Sequence, residues 1–228
     1  MTALGRLSKS LREEGLSSTI AKLYGLGADY WFDFRHGTDT CSWSELDQLT
    51  IDSENKASGY RYQPARVVPL RRLLQNIGRD LPPTPVLVDF GSGKGRVLLV
   101  AAEWGMRELR GIEFSKELCE IARKNCSRFK AQTGNSAEFQ IRETDAAQYD
   151  VQPEENVFFF YNPFDDTVLA KVLDNIGESL HRHPRKILIV YYNPLWNDVM
   201  TSRPGLRLVR EVRFWGFQFN VIENLISP

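Results

Sequence analysis

The sequence predicts a doubly wound α/β fold, built on one mostly parallel sheet with helices on both faces. The first observation is an alternation of short apolar runs and helical patterns from residue 86 to residue 192, which is typical of parallel strands joined by crossover helices. The second is a tail of two strand-like segments, 206–214 and 217–225, close enough to pair as an antiparallel hairpin at one edge of the sheet. The third is a proline-rich break at residues 81–85, which separates this alternation from the region before it.

Composition excludes several other classes of protein. The chain has 228 residues, of which 42% are hydrophobic and 25% are charged, as in ordinary folded proteins. Lys plus Arg and Asp plus Glu each total 29, so no global field favours nucleic acid or an anionic membrane. No segment is apolar enough to span a bilayer, and the start lacks the apolar run of a signal peptide. We expect a cytoplasmic protein with no membrane insertion and no metal site, since its Cys and His residues lack ligand spacing.

The proline-rich break divides the chain into two regions. Residues 1–84 start with helically spaced leucines and basic residues over 1–27, continue through an aromatic-dotted stretch at 28–63, and end in a helical pattern at 65–77. We interpret the basic start as one or two helices packed on the domain, with binding to a membrane or a partner as the alternative. We expect this first region to cover the substrate cleft of the domain formed by residues 85–228.

Strands and helices alternate regularly in the second region. Each predicted strand is a short apolar run rich in β-branched or aromatic residues, and each predicted helix is a longer amphipathic pattern. The predicted strands before the tail are 86–90, 109–113, 137–142, 157–161 and 186–192, and the predicted helices are 96–104, 115–130 and 166–180. Ligands of open α/β sheets bind beyond the carboxyl ends of the strands, so the loops there are the candidate site.

The loop after the first predicted strand is rich in glycine. Its residues are Asp89, Phe90, Gly91, Ser92, Gly93, Lys94 and Gly95. A dinucleotide fingerprint does not fit, because Arg96 stands where its third glycine should fall, and the pattern of a phosphate-binding P-loop is also absent. The glycines still allow the backbone to turn sharply and approach a ligand, while Asp89 supplies a carboxylate. This combination suits a ligand that carries an amino group.

Two further carboxylates follow the next two strands. Glu113 ends the second strand, where an acidic side chain can accept hydrogen bonds from ribose hydroxyls. Asp145 follows the third strand, where it can accept a hydrogen bond from the exocyclic amine of adenine. Three acids at successive strand ends therefore predict a site for one nucleoside with an amino-bearing tail.

Residues 86–192 resemble the class I, Rossmann-like S-adenosylmethionine-dependent methyltransferases. Residues 88–95 look like motif I of that family, Glu113 like the motif II acid, Asp145 like the adenine-side acid, and residues 162–164 like motif IV. The resemblance implies a seven-stranded sheet that ends in an antiparallel hairpin. It also implies S-adenosyl-L-methionine as the cofactor.

The resemblance further implies which residues contact that cofactor. The loop glycines would lie against its methionine and ribose portions, and Glu113 would bind the ribose hydroxyls. Asp145 and the Ala146 amide would bind the adenine edge, while Asp89 would hold the amino group directly or through water. The cofactor-binding residues predicted in this way are Asp89, Phe90, Gly91, Ser92, Gly93, Gly95, Glu113, Phe114, Asp145 and Ala146.

The methyl acceptor is predicted to lie after the fourth strand. Residues 162–164 resemble the (Asn/Asp)-Pro-Pro-(Tyr/Phe) motif of methyltransferases that act on amino nitrogens, with one proline fewer. The Asn162 oxygen would accept a hydrogen bond from the acceptor nitrogen and aim its lone pair, and Phe164 would form an aromatic wall. A plain strand stop is the alternative, since Asn and Pro are common in turns. The residues assigned to catalysis are Tyr161, Asn162, Pro163 and Phe164, and those assigned to substrate binding are Tyr62, Phe164 and Tyr192.

These residues predict a methyltransferase that acts on the nitrogen of a protein lysine or of another amine, because the layout also resembles the non-SET lysine methyltransferases. Nucleic acid and small molecules are the alternative acceptors, and the neutral charge gives little affinity for phosphates. A protein that binds the cofactor without catalysis and a nicotinamide-dependent oxidoreductase are further alternatives. Arg96 in place of the third glycine disfavours the oxidoreductase.

Overall fold

The computed structural model describes residues 16–44, 49–60, 62–214 and 216–225. Within these ranges a sheet of seven strands carries helices on both faces. The predicted doubly wound α/β fold is therefore confirmed. The interpretation of the basic start as packed helices falls partly on residues 1–15, which lie outside the described residues.

The helices and strands keep the predicted order. The described helices are α1 Leu16–His36, α2 Val67–Ile77, α3 Arg96–Trp104, α4 Lys116–Thr133, α5 Asp166–Arg182 and α6 Asn197–Thr201. The described strands are β1 Val86–Phe90, β2 Glu108–Glu113, β3 Glu138–Glu143, β4 Val157–Phe160, β5 Leu188–Tyr192, β6 Leu206–Phe214 and β7 Phe217–Asn224. Short 3-10 helices occur at Glu54–Ser58 and Ala146–Gln148. The short helix α6 is absent from the sequence prediction.

The sheet has the strand order β3-β2-β1-β4-β5-β7-β6. Strands β1 to β5 are parallel, and β7 lies antiparallel between β5 and β6, which confirms the predicted hairpin at the edge. Strand β5 begins two residues later than predicted. The Asn224 side chain accepts the Ile187 N–H at 2.9 Å, so this N–H bonds to a side chain before the strand begins.

Alternating residues of the central strands build one hydrophobic core on each face of the sheet. On β1, Leu87 belongs to the core beneath α2 and α3, while Val88 belongs to the core beneath α5. On β4, Phe159 and Phe160 divide between the same two cores. With both faces covered, the carboxyl edge of the sheet is left as the place where loops form a site.

Helix α1 docks on this domain through polar residues. Asp29 accepts hydrogen bonds from Arg66 Nη1 at 2.7 Å and from the Val67 N–H at 2.9 Å, and it lies 3.5 Å from Arg96 Nη1. The sequence of α1 shows only a weak hydrophobic periodicity, because the buried face of this helix carries carboxylates as well as Phe32. No described helix, α1 included, is long and apolar enough to cross a membrane.

Side-chain caps fix the starts of two helices that follow strand ends. Ser115 accepts a hydrogen bond from the Leu118 N–H at the start of α4, after β2. Asp165 accepts one from the Val168 N–H at the start of α5, after β4. Such caps satisfy N–H groups that have no acceptor within the helix. They therefore hold the loops after β2 and β4 in defined positions.

We predict that Asp29→Ala lowers the free energy of unfolding by about 3 kcal/mol, because a largely buried ion pair loses one partner. Urea denaturation measures the change. Asp174→Ala is the control, since Asp174 pairs with Arg203 at the surface, where an ion pair contributes about 0–1 kcal/mol. Equal losses in the two variants would contradict the anchoring role of Asp29.

Candidate functional site

The parallel register of β1, β2 and β3 brings the predicted acids to one edge of the sheet. Phe90 pairs with Ile112 at the end of β1, and Glu113 pairs with Glu143 at the end of β2. The N–H groups of Gly91 and Ser92 both donate to the Ile112 carbonyl, at 2.8 and 3.1 Å. The glycine loop is therefore held against the end of β2, beside Glu113.

The glycine loop makes two contacts that leave no space for a side chain. Gly91 has a φ of 73°, and a Cβ there would lie 2.2 Å from the Cβ of Pro163. Gly93 has a φ of 51°, and a Cβ there would lie 2.3 Å from the ring of Tyr62. Both positions thus require glycine for conformation and for space. Through them the loop touches the turn after β4 and the region that precedes the sheet.

Asp89 and Glu113 are buried acids with different surroundings. Glu113 accepts hydrogen bonds from the Gly93 and Ser115 N–H groups, both at 2.9 Å. No described residue donates a hydrogen bond to the Asp89 carboxyl, which belongs to a residue only 2% exposed. Burial raises the pKa of both groups, and the Glu113 charge raises the pKa of Asp89 further. Asp89 is therefore a carboxyl without the donors or cations that normally accompany a buried acid.

The basic residues at the end of the glycine loop and at the start of α3, Lys94 and Arg96, bind to other parts of the chain. The Lys94 ammonium contacts the Ser42 hydroxyl and lies 3.5 Å from Asp39. The Arg96 guanidinium is buried, and it donates to the Thr40 hydroxyl at 2.7 Å. Both cations therefore interact with residues of the region before the sheet.

A cavity of about 290 Å³ lies between the glycine loop and the turn after β4. Its walls include three tyrosines, Tyr60, Tyr62 and Tyr161, and the amide side chains of Gln63, Asn162 and Asn193. Glu113 is the only charged side chain among the described residues that line it. This cavity, called the larger cavity below, therefore offers aromatic faces, amide groups and one carboxylate.

Asn162 and Asn193 end neighbouring strands in the same unusual conformation. Their φ angles are 40° and 51°, a region that Asn tolerates better than most residues with a side chain. Asn162 Nδ2 donates to the Asn193 carbonyl at 2.6 Å. This bond fixes the amide and leaves Asn162 Oδ1 with one long contact, from the Leu195 N–H at 3.4 Å. Asn162 Oδ1 is thus an oriented acceptor at the larger cavity.

A smaller cavity of about 30 Å³ lies between the ends of β2, β3 and β4. Glu113 and Asp145 supply its carboxylates, and Phe114 and Phe164 supply aromatic walls. Asn55, from the region before the sheet, also lines it. The larger and smaller cavities share Gly91, Glu113, Phe114 and Pro163, so they are two parts of one cleft.

The structure brings many of the predicted site residues together in this cleft. The residues that line one or both cavities are Tyr62, Gly91, Gly93, Glu113, Phe114, Asp145, Ala146, Tyr161, Asn162, Pro163 and Phe164. Asp89, Phe90, Ser92, Gly95 and Tyr192 line neither cavity.

Two aromatic residues differ from their predicted places. Phe164 is 7% exposed and borders the smaller cavity, away from the larger one where Asn162 lies. Its ring packs edge-on against Phe160, because Phe164 turns back into the core beneath α5. Tyr192 is fully buried and stacks on Tyr161, with 4.3 Å between ring centroids. Tyr192 therefore packs against the face of the Tyr161 ring, and its assignment to substrate binding stays a prediction.

Three of the remaining predicted residues have packing roles. The Phe90 ring stacks on Phe160 in the core at 5.1 Å. Ser92 is buried against Gly111. A Cβ added at Gly111 would lie 2.6 Å from the Ser92 hydroxyl oxygen. Gly95, with a φ of 84°, allows α3 to begin directly after the loop. These residues shape the loop from behind the cleft.

The sequence interpretation missed Ser53 and Asn55. Both donate to Asp145 Oδ2, at 2.5 and 2.7 Å. The only local signal is that Ser53 caps the short 3-10 helix by accepting the Asn55 N–H. Nothing in that pattern points to a carboxylate about ninety residues further along the chain.

Solved structures with the same fold match most of this chain. An RNA methyltransferase from Salinibacter ruber, in complex with S-adenosyl-L-homocysteine, is 24% identical, with a TM-score of 0.54 over 73% of this chain and 96% of that one. A ribosomal protein L11 methylase from Lactobacillus delbrueckii subsp. bulgaricus is 14% identical, with a TM-score of 0.53 over 72% and 80%. A magnesium protoporphyrin IX methyltransferase from Synechocystis, with bound S-adenosylmethionine, is 15% identical, with a TM-score of 0.50 over 71% and 78%.

These likenesses establish the fold of the chain. It has a Rossmann-like α/β fold, which these three solved structures share, and its own sheet ends in the antiparallel hairpin that the sequence predicted. No protein-family model and no curated protein sequence matches the chain. In the described part of the chain, no cluster of three or more His, Cys, Asp or Glu side chains is arranged to hold a metal ion.

We predict that Asp89→Asn stabilises the free protein, and that its advantage over wild type grows as pH rises through the range above the ordinary carboxyl pKa of about 4. A carboxyl whose pKa is raised on folding makes the folded state less stable as pH rises from the unfolded pKa through the folded pKa. The neutral amide removes that penalty. Urea denaturation across this range measures the difference, with Asp174→Asn at the surface as control. An advantage that shrinks with rising pH would contradict the protonation assigned to Asp89.

Proposed function

We propose that the protein is an S-adenosylmethionine-dependent methyltransferase that acts on an amine nitrogen. The observation that carries the proposal is the charge of the cleft, whose described lining contains Glu113 and Asp145 and no Lys or Arg. S-adenosylmethionine is cationic at its sulfur and carries an ammonium group, so an acidic cleft suits it. The nicotinamide cofactors carry an anionic pyrophosphate, which a cleft with two carboxylates and no Lys or Arg in its described lining disfavours.

The residues in the cleft fit this cofactor. Asp89 lines neither cavity, but it is a buried carboxyl without a described donor and stands at the start of the glycine loop, which would receive the ammonium group. Glu113 borders both cavities and retains acceptor capacity for the ribose hydroxyls, since a carboxylate has about four acceptor positions. Phe114 and Phe164 wall the smaller cavity as a planar base requires. When bound, the cofactor supplies a methyl group on a positively charged sulfur.

The larger cavity supports an amine as the methyl acceptor. Its tyrosine faces can stabilise a positively charged or partly charged amine by cation–π contact, and the Asn162 oxygen accepts an N–H hydrogen bond. A phosphate-bearing acceptor finds no basic side chain in the described lining. We therefore propose a lysine side chain of a protein, or another amine, over nucleic acid.

The protein's own residues act in this reaction by orientation and not as bases. Burial raises the pKa of Tyr62 and of Tyr161, so both phenols remain protonated near neutral pH. Asn162, fixed by its bond to Asn193, holds the acceptor nitrogen so that its lone pair faces the transferred carbon. A charged amine would release one proton to solvent before transfer, because only the neutral nitrogen has a lone pair. The N–C bond would then form as the S–C bond of the methyl group breaks, leaving S-adenosylhomocysteine and a positively charged methylated amine. Catalysis would then rest on alignment.

The direct test of the proposal is transfer of a labelled methyl group from S-adenosylmethionine to lysine-containing peptides. Matched peptides with arginine in place of lysine, and an RNA of mixed sequence, serve as comparison acceptors. We expect label in the lysine peptides alone. Label in RNA alone would overturn the amine assignment.

We predict that Gly93→Ala weakens S-adenosylhomocysteine binding by about tenfold or more, because its Cβ would displace the Tyr62 ring. Titration calorimetry measures the affinity. Gly134→Ala is the matched control, since Gly134 also has a positive φ, of 66°, but has open space around its Cβ position. Both variants carry the left-handed strain. An unchanged affinity in Gly93→Ala would refute the contact between the loop and the cofactor.

We also predict that Asn162→Ala lowers kcat/KM for methyl transfer by about a hundredfold, through loss of alignment. The dissociation constant for S-adenosylhomocysteine should stay unchanged, since Asn162 lies at the acceptor side. Steady-state kinetics with a verified acceptor, combined with calorimetry, separate the two quantities. Full activity of the variant would mean that residues 161–164 only end the strand and do not align the acceptor.

A further inference from the structure

We infer that Asn55 recognises the exocyclic amine of the adenine ring, and that Asp145 acts through it as a positioning residue. This inference rests on the proposed cofactor. It concerns the segment of residues 49–60, here called the strap, which crosses the carboxyl ends of three strands. The strap belongs to the region before the sheet.

Hydrogen bonds tie the strap to each of those strand ends. After β2, the Thr50 N–H donates to Glu117 Oε2 at 2.9 Å. After β3, Ser53 and Asn55 donate to Asp145. After β4, the Asp165 N–H donates to the Ser58 carbonyl at 2.9 Å. The strap is therefore fixed over the smaller cavity from three sides.

The geometry around Asp145 leaves little acceptor capacity for a ligand. Asp145 Oδ2 receives the Ser53 hydroxyl and Asn55 Nδ2, which use both of its lone-pair positions. Asp145 Oδ1 receives the Ala147 N–H at 2.8 Å. Three of the about four acceptor positions of the carboxylate are therefore occupied, so a base amine that enters the smaller cavity would use a further acceptor.

Asn55 supplies that acceptor. Its amide orientation is unambiguous, because only the Nδ2 end can donate to the Asp145 carboxylate. The opposite end, Oδ1, receives no hydrogen bond from any described residue, and Asn55 lines the smaller cavity. An oriented carbonyl oxygen beside the aromatic walls of Phe114 and Phe164 matches a planar base with an amino group at its edge.

The recognition has a chemical consequence for specificity. An acceptor oxygen favours a base that carries an amine at this position and disfavours one that carries a carbonyl, because two acceptors then face each other. The Ala146 N–H stands at the start of a 3-10 helix, where N–H groups have no acceptor within the helix. Ala146 lines the same smaller cavity as Asn55, so its N–H would supply a donor to the adenine edge while the Asn55 oxygen supplies the acceptor.

The test compares S-adenosylhomocysteine with S-inosylhomocysteine, in which a carbonyl replaces the 6-amino group. Titration calorimetry on the full chain gives both affinities. For wild type we expect the adenosyl compound to bind about tenfold more tightly. In Asn55→Ala we expect its affinity to fall by about tenfold, with the inosyl compound changed less than about twofold. The preference would then fall to near unity.

Two further variants separate recognition from support of the strap. Ser53→Ala removes one bond to Asp145 but keeps the Asn55 amide, so we expect the adenosyl preference to persist. Glu54→Ala, at an exposed position of the same strap, should behave as wild type. Equal weakening of both ligands in Asn55→Ala, or no weakening, would overturn the inference while the proposed function stands. Failure of wild type to bind either compound would overturn both.

Discussion

The buried guanidinium of Arg96 determines how the region before the sheet meets the glycine loop. It directly follows that loop, and it donates to the Thr40 hydroxyl, the Ala65 carbonyl and the Cys41 sulfur. A buried cation is costly unless it is surrounded by acceptors, and here all three come from residues that precede the sheet. Thr40 also accepts the Tyr62 hydroxyl through its carbonyl, at 2.9 Å. The network that satisfies Arg96 therefore also places the Tyr62 ring on the glycine loop.

The contacts of Arg96 and Lys94 with the preceding region also determine the charge of the cleft. With Arg96 and Lys94 directed toward the preceding region, Glu113 and Asp145 border the cleft without a Lys or Arg in its described lining. Asp89 lies in β1, next to the glycine loop. Burial of Asp89 and Glu113 makes their ionised forms unfavourable, which a cationic ligand would reverse. Ligand binding and local electrostatics are thus coupled. The free protein carries a destabilising feature that the proposed cofactor would relieve.

The features that the sequence predicted depend mainly on residues close together in the chain. The features that it did not predict depend on residues far apart in the chain. Strand β1 and helix α3 match their predicted bounds because apolar period, proline and glycine signals are local. Glu113 and Asp145 were predicted to share a site because parallel strands end at one edge. The partners of Arg96 lie thirty to nearly seventy residues away, so the sequence showed only that Arg96 breaks a dinucleotide motif.

Side-chain direction set a second limit. Phe164 follows Asn162 by two residues, and the sequence placed both at the acceptor, yet the left-handed backbone at Asn162 turns the chain so that Phe164 enters the core.

The central claim, an acidic cleft built for S-adenosylmethionine, is tested most directly by thermal unfolding with saturating S-adenosylhomocysteine or NAD. At a hundred times its dissociation constant, a ligand adds about 2.7 kcal/mol, or roughly 5 to 10 °C in Tm at this size. The account predicts that shift with S-adenosylhomocysteine and none with NAD, and a shift with NAD alone, or with neither, would contradict it.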